Sequence, residues 1–161
     1  MISIIMPAYN EAAVIAGTLA SLIDQDTDIP FEVIVIANGC DDDTADRARA
    51  MAAQMAVPGR SLRVIETDRR GKTNAFNLGD AQARYGARIY MDGDLRVSNN
   101  LVACSAPLLA DETACYLGYR LETAPSRSFI TSAYGRMWSR SPRITRKPQQ
   151  QMPQNIRAFG G

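Results

Sequence analysis

Four short runs of β-branched and aliphatic residues, each handing over to a segment with helical spacing, constrain this chain more than any other feature. Ile2-Ser3-Ile4-Ile5-Met6, Phe31 to Ala37, Leu62 to Glu66 and Ala87 to Met91 have the length and composition of strands buried in a sheet. Between them, apolar residues recur at helical intervals. Ile15, Leu19, Leu22 and Ile23 form one set; Ala45, Ala48, Met51, Ala52 and Met55 a second; Ala75, Phe76, Leu78 and Ala81 a third. Alternation of this kind specifies an α/β fold with a mostly parallel sheet flanked by helices. Right-handed crossovers then place every strand-to-helix loop on one edge of the sheet.

Local punctuation sets the boundaries. Pro7 ends the first strand, and Asn10 is the expected cap of a helix that Glu11 opens. Asn38-Gly39-Cys40 is a tight turn, Asp41, Asp42 and Asp43 are helix caps, and Pro58-Gly59 closes the second helix. The third helix runs from Lys72 to Arg84, with Gly79 its weak position. Ser98-Asn99-Asn100 caps a helix over Leu101 to Leu109, and Ala114 to Tyr119 is a fifth strand. From Ser126 the pattern degrades: Phe129 to Trp138 is an amphipathic helix candidate, and Ser139 to Pro153 is basic, proline-bearing and glutamine-rich.

Composition narrows the chemistry. At 161 residues the chain is one domain, and 46% hydrophobic with 22% charged residues is ordinary globular usage. A net charge of +1 gives no nucleic-acid partner, although Arg127, Arg136, Arg140, Arg143, Arg146, Lys147 and Arg157 crowd the end of the chain. Cys40, Cys104 and Cys115 are odd in number and widely spaced, as expected of reduced thiols in the cytoplasm. No histidine is present, which removes Ser/His/Asp and Cys/His catalysis and any histidine-bound zinc. Chemistry must use carboxylates, lysine, tyrosine or a bound metal. No apolar run reaches membrane-spanning length and no basic leader precedes the first strand.

The loops gathered at one edge then form a candidate site. Tyr9 offers a flat face with a polar tip to a nucleobase, or else plugs the sheet edge. Asn38 presents donor and acceptor to a base edge, or is a turn asparagine. Lys72 neutralises a diphosphate, or is a solvated helix start. Asp92 and Asp94, at the end of the fourth strand, suit a hard divalent cation whose other ligands are phosphate oxygens; the bland alternative is a solvated turn. No Gly-x-Gly-x-x-Gly follows the first strand, against a dinucleotide dehydrogenase, and Pro7-Ala8-Tyr9 stands where a phospho-accepting receiver needs acids.

Pro7-Ala8-Tyr9-Asn10-Glu11, Ala37-Asn38-Gly39-Cys40-Asp41-Asp42-Asp43-Thr44, Gly71-Lys72-Thr73-Asn74-Ala75-Phe76-Asn77 and Asp92-Gly93-Asp94, in this order, resemble a family 2 glycosyltransferase over residues 1 to 120. The resemblance implies a GT-A (Rossmann-like) fold and inverting transfer from a nucleotide-diphospho-sugar with a divalent cation, Mn or Mg. It implies that Pro7, Ala8, Tyr9, Glu11, Asn38, Lys72, Asp92 and Gly93 bind the nucleotide-sugar and that Asp94, with Asp92, holds the metal. Asn38 stands where the family usually has an aspartate, which leaves a UDP-sugar favoured, and Leu95 follows where many relatives carry another acid.

In the family, the carboxylate that deprotonates the acceptor lies beyond a Gly-Gly stretch like Gly160-Gly161. The expectation is therefore a single truncated domain, with a nucleotide-sugar-binding half over 1–120 and the basic start of an acceptor-side region over 121–161. The alternative is a catalytically incomplete nucleotide-binding fragment or partner-binding module. A saccharide or lipid-linked acceptor is implied. The basic tail is a loop over that acceptor or, preferably, a patch for peripheral contact with an anionic inner-membrane surface.

Overall fold

The computed structural model describes residues 1–110, 120–123 and 157–160. Its central sheet contains four parallel strands, β1 (Ile2–Ala8), β2 (Phe31–Asn38), β3 (Arg60–Thr67) and β4 (Ala87–Tyr90), in the order β3-β2-β1-β4. β1 pairs with β2 from Ile2 opposite Phe31 to Ala8 opposite Ala37, and with β4 from Ile2 opposite Ala87 to Ile5 opposite Tyr90. β1 and β2 are buried along their whole length because helices cover both faces, which is why their sequences are continuous apolar runs.

Residue alternation divides the core between those faces. Ile4, Met6, Ala8, Val33 and Val35 pack in one cluster with Ile15, Leu19 and Leu22 of α1 (Ile15–Ile23), Ala48 of α2 (Thr44–Ala50), Met55 of α3 (Ala52–Met55) and Leu101 and Val102 of α5 (Leu101–Leu109). Ile34 and Ile36 point the other way, against Ala75 and Leu78 of α4 (Lys72–Gln82). Gly79 does not interrupt α4. A Cβ there would overlap Ile5 Cγ2, so the glycine lets the helix approach β1 closely.

A buried carboxylate ties α4 and β4 to the sheet. Glu32, 1% exposed, accepts hydrogen bonds from the Ser3 hydroxyl at 2.8 Å and the Arg84 backbone N–H at 2.6 Å, and lies 3.1 Å from Arg63 Nη2. Tyr85 N–H donates in turn to Ser3 Oγ at 3.1 Å. Burial pushes the Glu32 pKa up, but the Arg84, Ser3 and Arg63 donors outweigh it and hold the group below the usual carboxylate range.

Several local expectations change. Pro7 lies inside β1 rather than ending it, and the β4 ladder stops at Ile5, so the missing N–H of Pro7 falls beyond the doubly paired part of the strand. α1 begins at Ile15, one turn after Glu11, and Asn10 does not cap it: its φ of 53° is left-handed, outside the extended geometry of an N-cap. The second helix breaks at Met51, whose N–H bonds Ala48 O at 3.1 Å, a tightened i−3 contact that separates α2 from α3. α4 stops at Gln82 and β4 at Tyr90, although Met91 N–H still donates to Ile5 O at 3.1 Å.

A second sheet was not foreseen. β5 (Leu95–Val97) pairs antiparallel with β7 (Arg157–Gly160), which pairs parallel with β6 (Arg120–Thr123). The predicted strand Ala114–Tyr119, the helix over Phe129–Trp138 and the basic stretch Ser139–Pro153 lie outside the described residues. Among the described residues, no helix is long and apolar enough to cross a membrane.

Candidate functional site

β1 leads to β2 on one side of the sheet, whereas β4 joins β1 on the other. This reversal of strand order opens a crevice at the carboxyl ends of the strands, the usual ligand position in open α/β sheets. Here Pro7, Ala8, Tyr9, Glu11, Asn38, Lys72, Asp92 and Asp94 line an open cavity of about 200 Å³. Residues spread over nearly ninety positions of sequence are thus adjacent, as the crossover geometry requires.

Each side chain has a distinct environment. Tyr9 is 45% exposed, with the Arg70 guanidinium stacked 5.1 Å from its ring centroid. Asn38, the last residue of β2, is 7% exposed, and its Oδ1 is buried without a hydrogen-bond partner. Lys72 opens α4, where the helix dipole disfavours a cation, and its Nζ lies 2.5 Å from Asp92 Oδ1. Gly93 is buried, and a Cβ on it would overlap Glu11 Oε2 and come within 3.1 Å of Ala8 Cβ. Gly93 therefore does not line the cavity. Its lack of a side chain lets the Asp92-Gly93-Asp94 turn settle onto Glu11, while Asp94 stays exposed.

Glu11 is the most perturbed acid here. Burial comes first, and the charges of Asp94 and Asp92 add to it; together they push its pKa up to about 7 against opposition from the Tyr9 backbone N–H and Lys72. Its Oε2 is buried and has no hydrogen-bond partner. Three carboxyl groups thus share one end of the cavity with one lysine. Among the described residues, no group of three Cys, Asp or Glu side chains has metal-ligand spacing.

The rim is built by two interlocked loops. Glu11 N–H donates to Thr44 Oγ1 at 2.8 Å, Ala12 N–H to Asp42 Oδ2 at 3.1 Å, and Asp41 N–H to Asn10 Oδ1 at 2.8 Å. Asp42 Oδ1 also accepts the Thr44 N–H at 3.0 Å. The acidic run is more than a local cap, since Asp42 and Thr44 satisfy the backbone donors ahead of α1 that Asn10 was expected to serve. Cys40 Sγ bridges the same loops, accepting Asn10 N–H at 3.5 Å and donating to Ala8 O at 3.4 Å. Arg70, in a segment expected only as a polar loop, completes the rim through Asp41 Oδ2 at 2.6 Å. Its aliphatic stem crosses Gly39, where a Cβ would overlap Arg70 Cγ.

A larger cavity of about 340 Å³ lies at the opposite edge, among Thr27, Pro30, Val57, Pro58 and Arg60. Its one cationic group is already used. Arg60 donates to Ile23 O at 2.8 Å, Gln25 O at 2.7 Å and Thr27 O at 2.8 Å, closing the end of α1. Size notwithstanding, Glu11, Asp92, Asp94 and Lys72 gather at the smaller cavity, and so do the unpaired Glu11 Oε2 and Asn38 Oδ1.

A parallel sheet with a nucleotide-type crevice at its switch point, followed by an acidic turn at the end of β4, defines a GT-A-like α/β domain. The family model for glycosyl transferase family 2 matches residues 3–160, and the chain belongs to that family. It is 35% identical over 98 residues to the glycosyltransferase AglD of Haloferax volcanii, an alignment covering 58% of this chain and 15% of that protein. Among solved structures, it resembles the Pyrobaculum calidifontis mannosyltransferase PcManGT in complex with GDP-Man and Mn2+ at 31% identity and a TM-score of 0.61, covering 70% of this chain and 33% of that one. The Mycobacterium tuberculosis glucosyl-3-phosphoglycerate synthase in complex with Mn2+ and UDP-glucose is similar at 28% identity and a TM-score of 0.53, covering 77% of this chain and 43% of that one. The chain therefore spans less than half the length of each.

Proposed function

We propose that this chain carries the donor-binding part of a glycosyltransferase that moves a sugar from a nucleotide-diphospho-sugar to a saccharide or lipid-linked acceptor, with inversion at the anomeric centre. The observation that carries this is the convergence of Tyr9, Asn38, Lys72, Asp92 and Asp94 on one crevice at the sheet's switch point in a family 2 chain. Tyr9 stacks on the base, Asn38 meets its edge, Pro7 and Ala8 form the floor, and Lys72 leaves Asp92 to neutralise the diphosphate. At about 200 Å³ the cavity is below the roughly 300–1,000 Å³ of a pocket for a drug-sized ligand, so these residues form one wall of the donor site.

A divalent cation, Mn or Mg, fits the acidic end. Glu11, Asp92 and Asp94 bring three carboxyls together, the charges of Asp94 and Asp92 adding to burial in raising the Glu11 pKa, and Glu11 Oε2 is left unpaired. Asp94, with Asp92, would hold the ion, and phosphate oxygens and water would complete a shell that the described residues cannot. Such an ion supplies charge neutralisation at the diphosphate leaving group. The relatives crystallised with Mn2+ and with GDP-Man or UDP-glucose support both the cation and the donor class. Between UDP- and GDP-sugars, a UDP-sugar is the favoured donor.

Calorimetry with UDP and GDP, with and without Mn2+, tests the proposal. Metal-dependent binding that is lost in Asp94→Ala is expected; binding indifferent to both metal and variant would sink it. The arginines between Ser139 and Pro153 further support a cytoplasmic enzyme seated on an anionic membrane surface. Sedimentation with liposomes should then rise with anionic lipid content.

A further inference from the structure

We propose that Asn38 releases the base pocket from any requirement for a ring N–H donor, so that uracil and cytosine nucleotides are both accepted. This deepens the nucleotide-sugar assignment and rests on it. Asn38 is 93% shielded, lines the cavity beside Tyr9, and carries an Oδ1 with no hydrogen-bond partner. Its side chain is not spent on the end of the β2–β3 ladder, which the backbone alone extends, Gly39 N–H donating to Thr67 O at 2.7 Å. A turn asparagine would spend its side chain on local backbone. This one is kept unspent and buried, a state that costs free energy until a ligand supplies the partner.

The consequence follows from what an amide can pair with. A carboxamide presents an acceptor and a donor side by side, and a half-turn about its last torsion exchanges them. Uracil offers N3–H beside the O4 acceptor; cytosine offers the N3 acceptor beside its amino donor. One orientation of Asn38 makes two hydrogen bonds with uracil, and the other makes two with cytosine. Nothing among the described residues bonds Oδ1 and locks the amide in either orientation. An ionised carboxylate at this position has acceptors only. It would pair with N3–H of uracil and face the bare N3 of cytosine, a mismatch between two acceptors.

The test is calorimetry of UDP and CDP, in Mn2+, on the full chain and on Asn38→Asp and Asn38→Ala. Wild-type dissociation constants within about fivefold of each other are expected, with CDP weakened about tenfold or more relative to UDP in Asn38→Asp. Asn38→Ala should weaken both nucleotides about equally. A wild type that already prefers UDP by about tenfold or more overturns the proposal, and this ratio is decisive even if Asn38→Asp does not fold. An Asn38→Asp ratio equal to the wild-type ratio overturns it as well. If UDP and CDP both fail to bind the wild type while GDP binds, the role of Asn38 falls and the donor assignment stands. If GDP fails as well, both fall. Binding of UDP and CDP with the wrong ratios overturns the role of Asn38 alone.

Discussion

Lys72 Nζ lies 2.5 Å from Asp92 Oδ1 across the mouth of the crevice, joining the first residue of α4 to the second residue beyond β4. Both side chains are substantially exposed, so the pair contributes little to folding, on the order of 0–1 kcal/mol. A lysine at a helix start is also opposed by the dipole. Its position makes sense if the ammonium serves a ligand and Asp92 only stores it. Lys72→Met should therefore move the melting temperature by less than about 4 °C while weakening UDP about tenfold, with the difference from wild type shrinking as salt is added. Thermal melts and calorimetry at two salt concentrations check this. A large fall in melting temperature with unchanged affinity would make the pair structural.

Glu11 should make the metal-free protein less stable as pH rises. Its pKa is pushed from 4.5 to about 7 in the folded chain, so between these values the folded state binds more protons than the unfolded one. Stability contributed by the protonated group is then lost progressively as pH climbs through that window. Glu11→Gln keeps the shape and removes the charge. Melts in chelator should show no difference at about pH 4.5 and a growing advantage for the variant toward about pH 8. A constant difference, or one of opposite sign, would contradict the burial and charge crowding around this carboxyl.

Glu32 should behave in the opposite sense. Its pKa is held below 4.5, so its contribution is present above the unfolded value and is lost as pH falls through the folded one. Glu32→Ala strands the Ser3 hydroxyl, the Arg84 N–H and the Arg63 guanidinium together, and should cost roughly 3 kcal/mol or more at neutral pH. Urea titrations at neutral pH and at about pH 3 should show the gap narrowing in acid. Because the network fixes the α4–β4 connection, the variant's loss is expected in stability first. Saturating nucleotide should recover part of it through linkage.

The order of strands and helices could be read from residue spacing, because burial on both faces gives β1 and β2 their unbroken apolar runs and the crossover rule then dictates which loops meet. What could not be read depends on contacts between distant residues. Asn10 satisfies every local rule for an N-cap, yet the donors ahead of α1 are taken by Asp42 and Thr44, some thirty positions away. β5, Leu95-Arg96-Val97, is too short to register alone and exists through pairing with β7. Arg70 follows the same logic, since only the fold brings it over Gly39 and onto Tyr9.

Arg70 should act as a brace that fixes the Tyr9 ring. Its guanidinium stacks on one side of the ring and is held by Asp41, while Tyr9, and not Arg70, lines the cavity. The exposed ion pair is worth little to folding, and the stacking contact about 0.5–1 kcal/mol. Arg70→Ala should therefore fold normally but weaken UDP several-fold, roughly 3- to 10-fold, by freeing the tyrosine to sample other rotamers. If the effect travels through Tyr9, Arg70→Ala should cost nothing further in a Tyr9→Leu background, so the double variant binds no worse than Tyr9→Leu alone. Additive losses would mean that Arg70 meets the ligand directly. Tighter binding in Arg70→Ala would mean that the guanidinium occupies the face the base needs and has to be displaced.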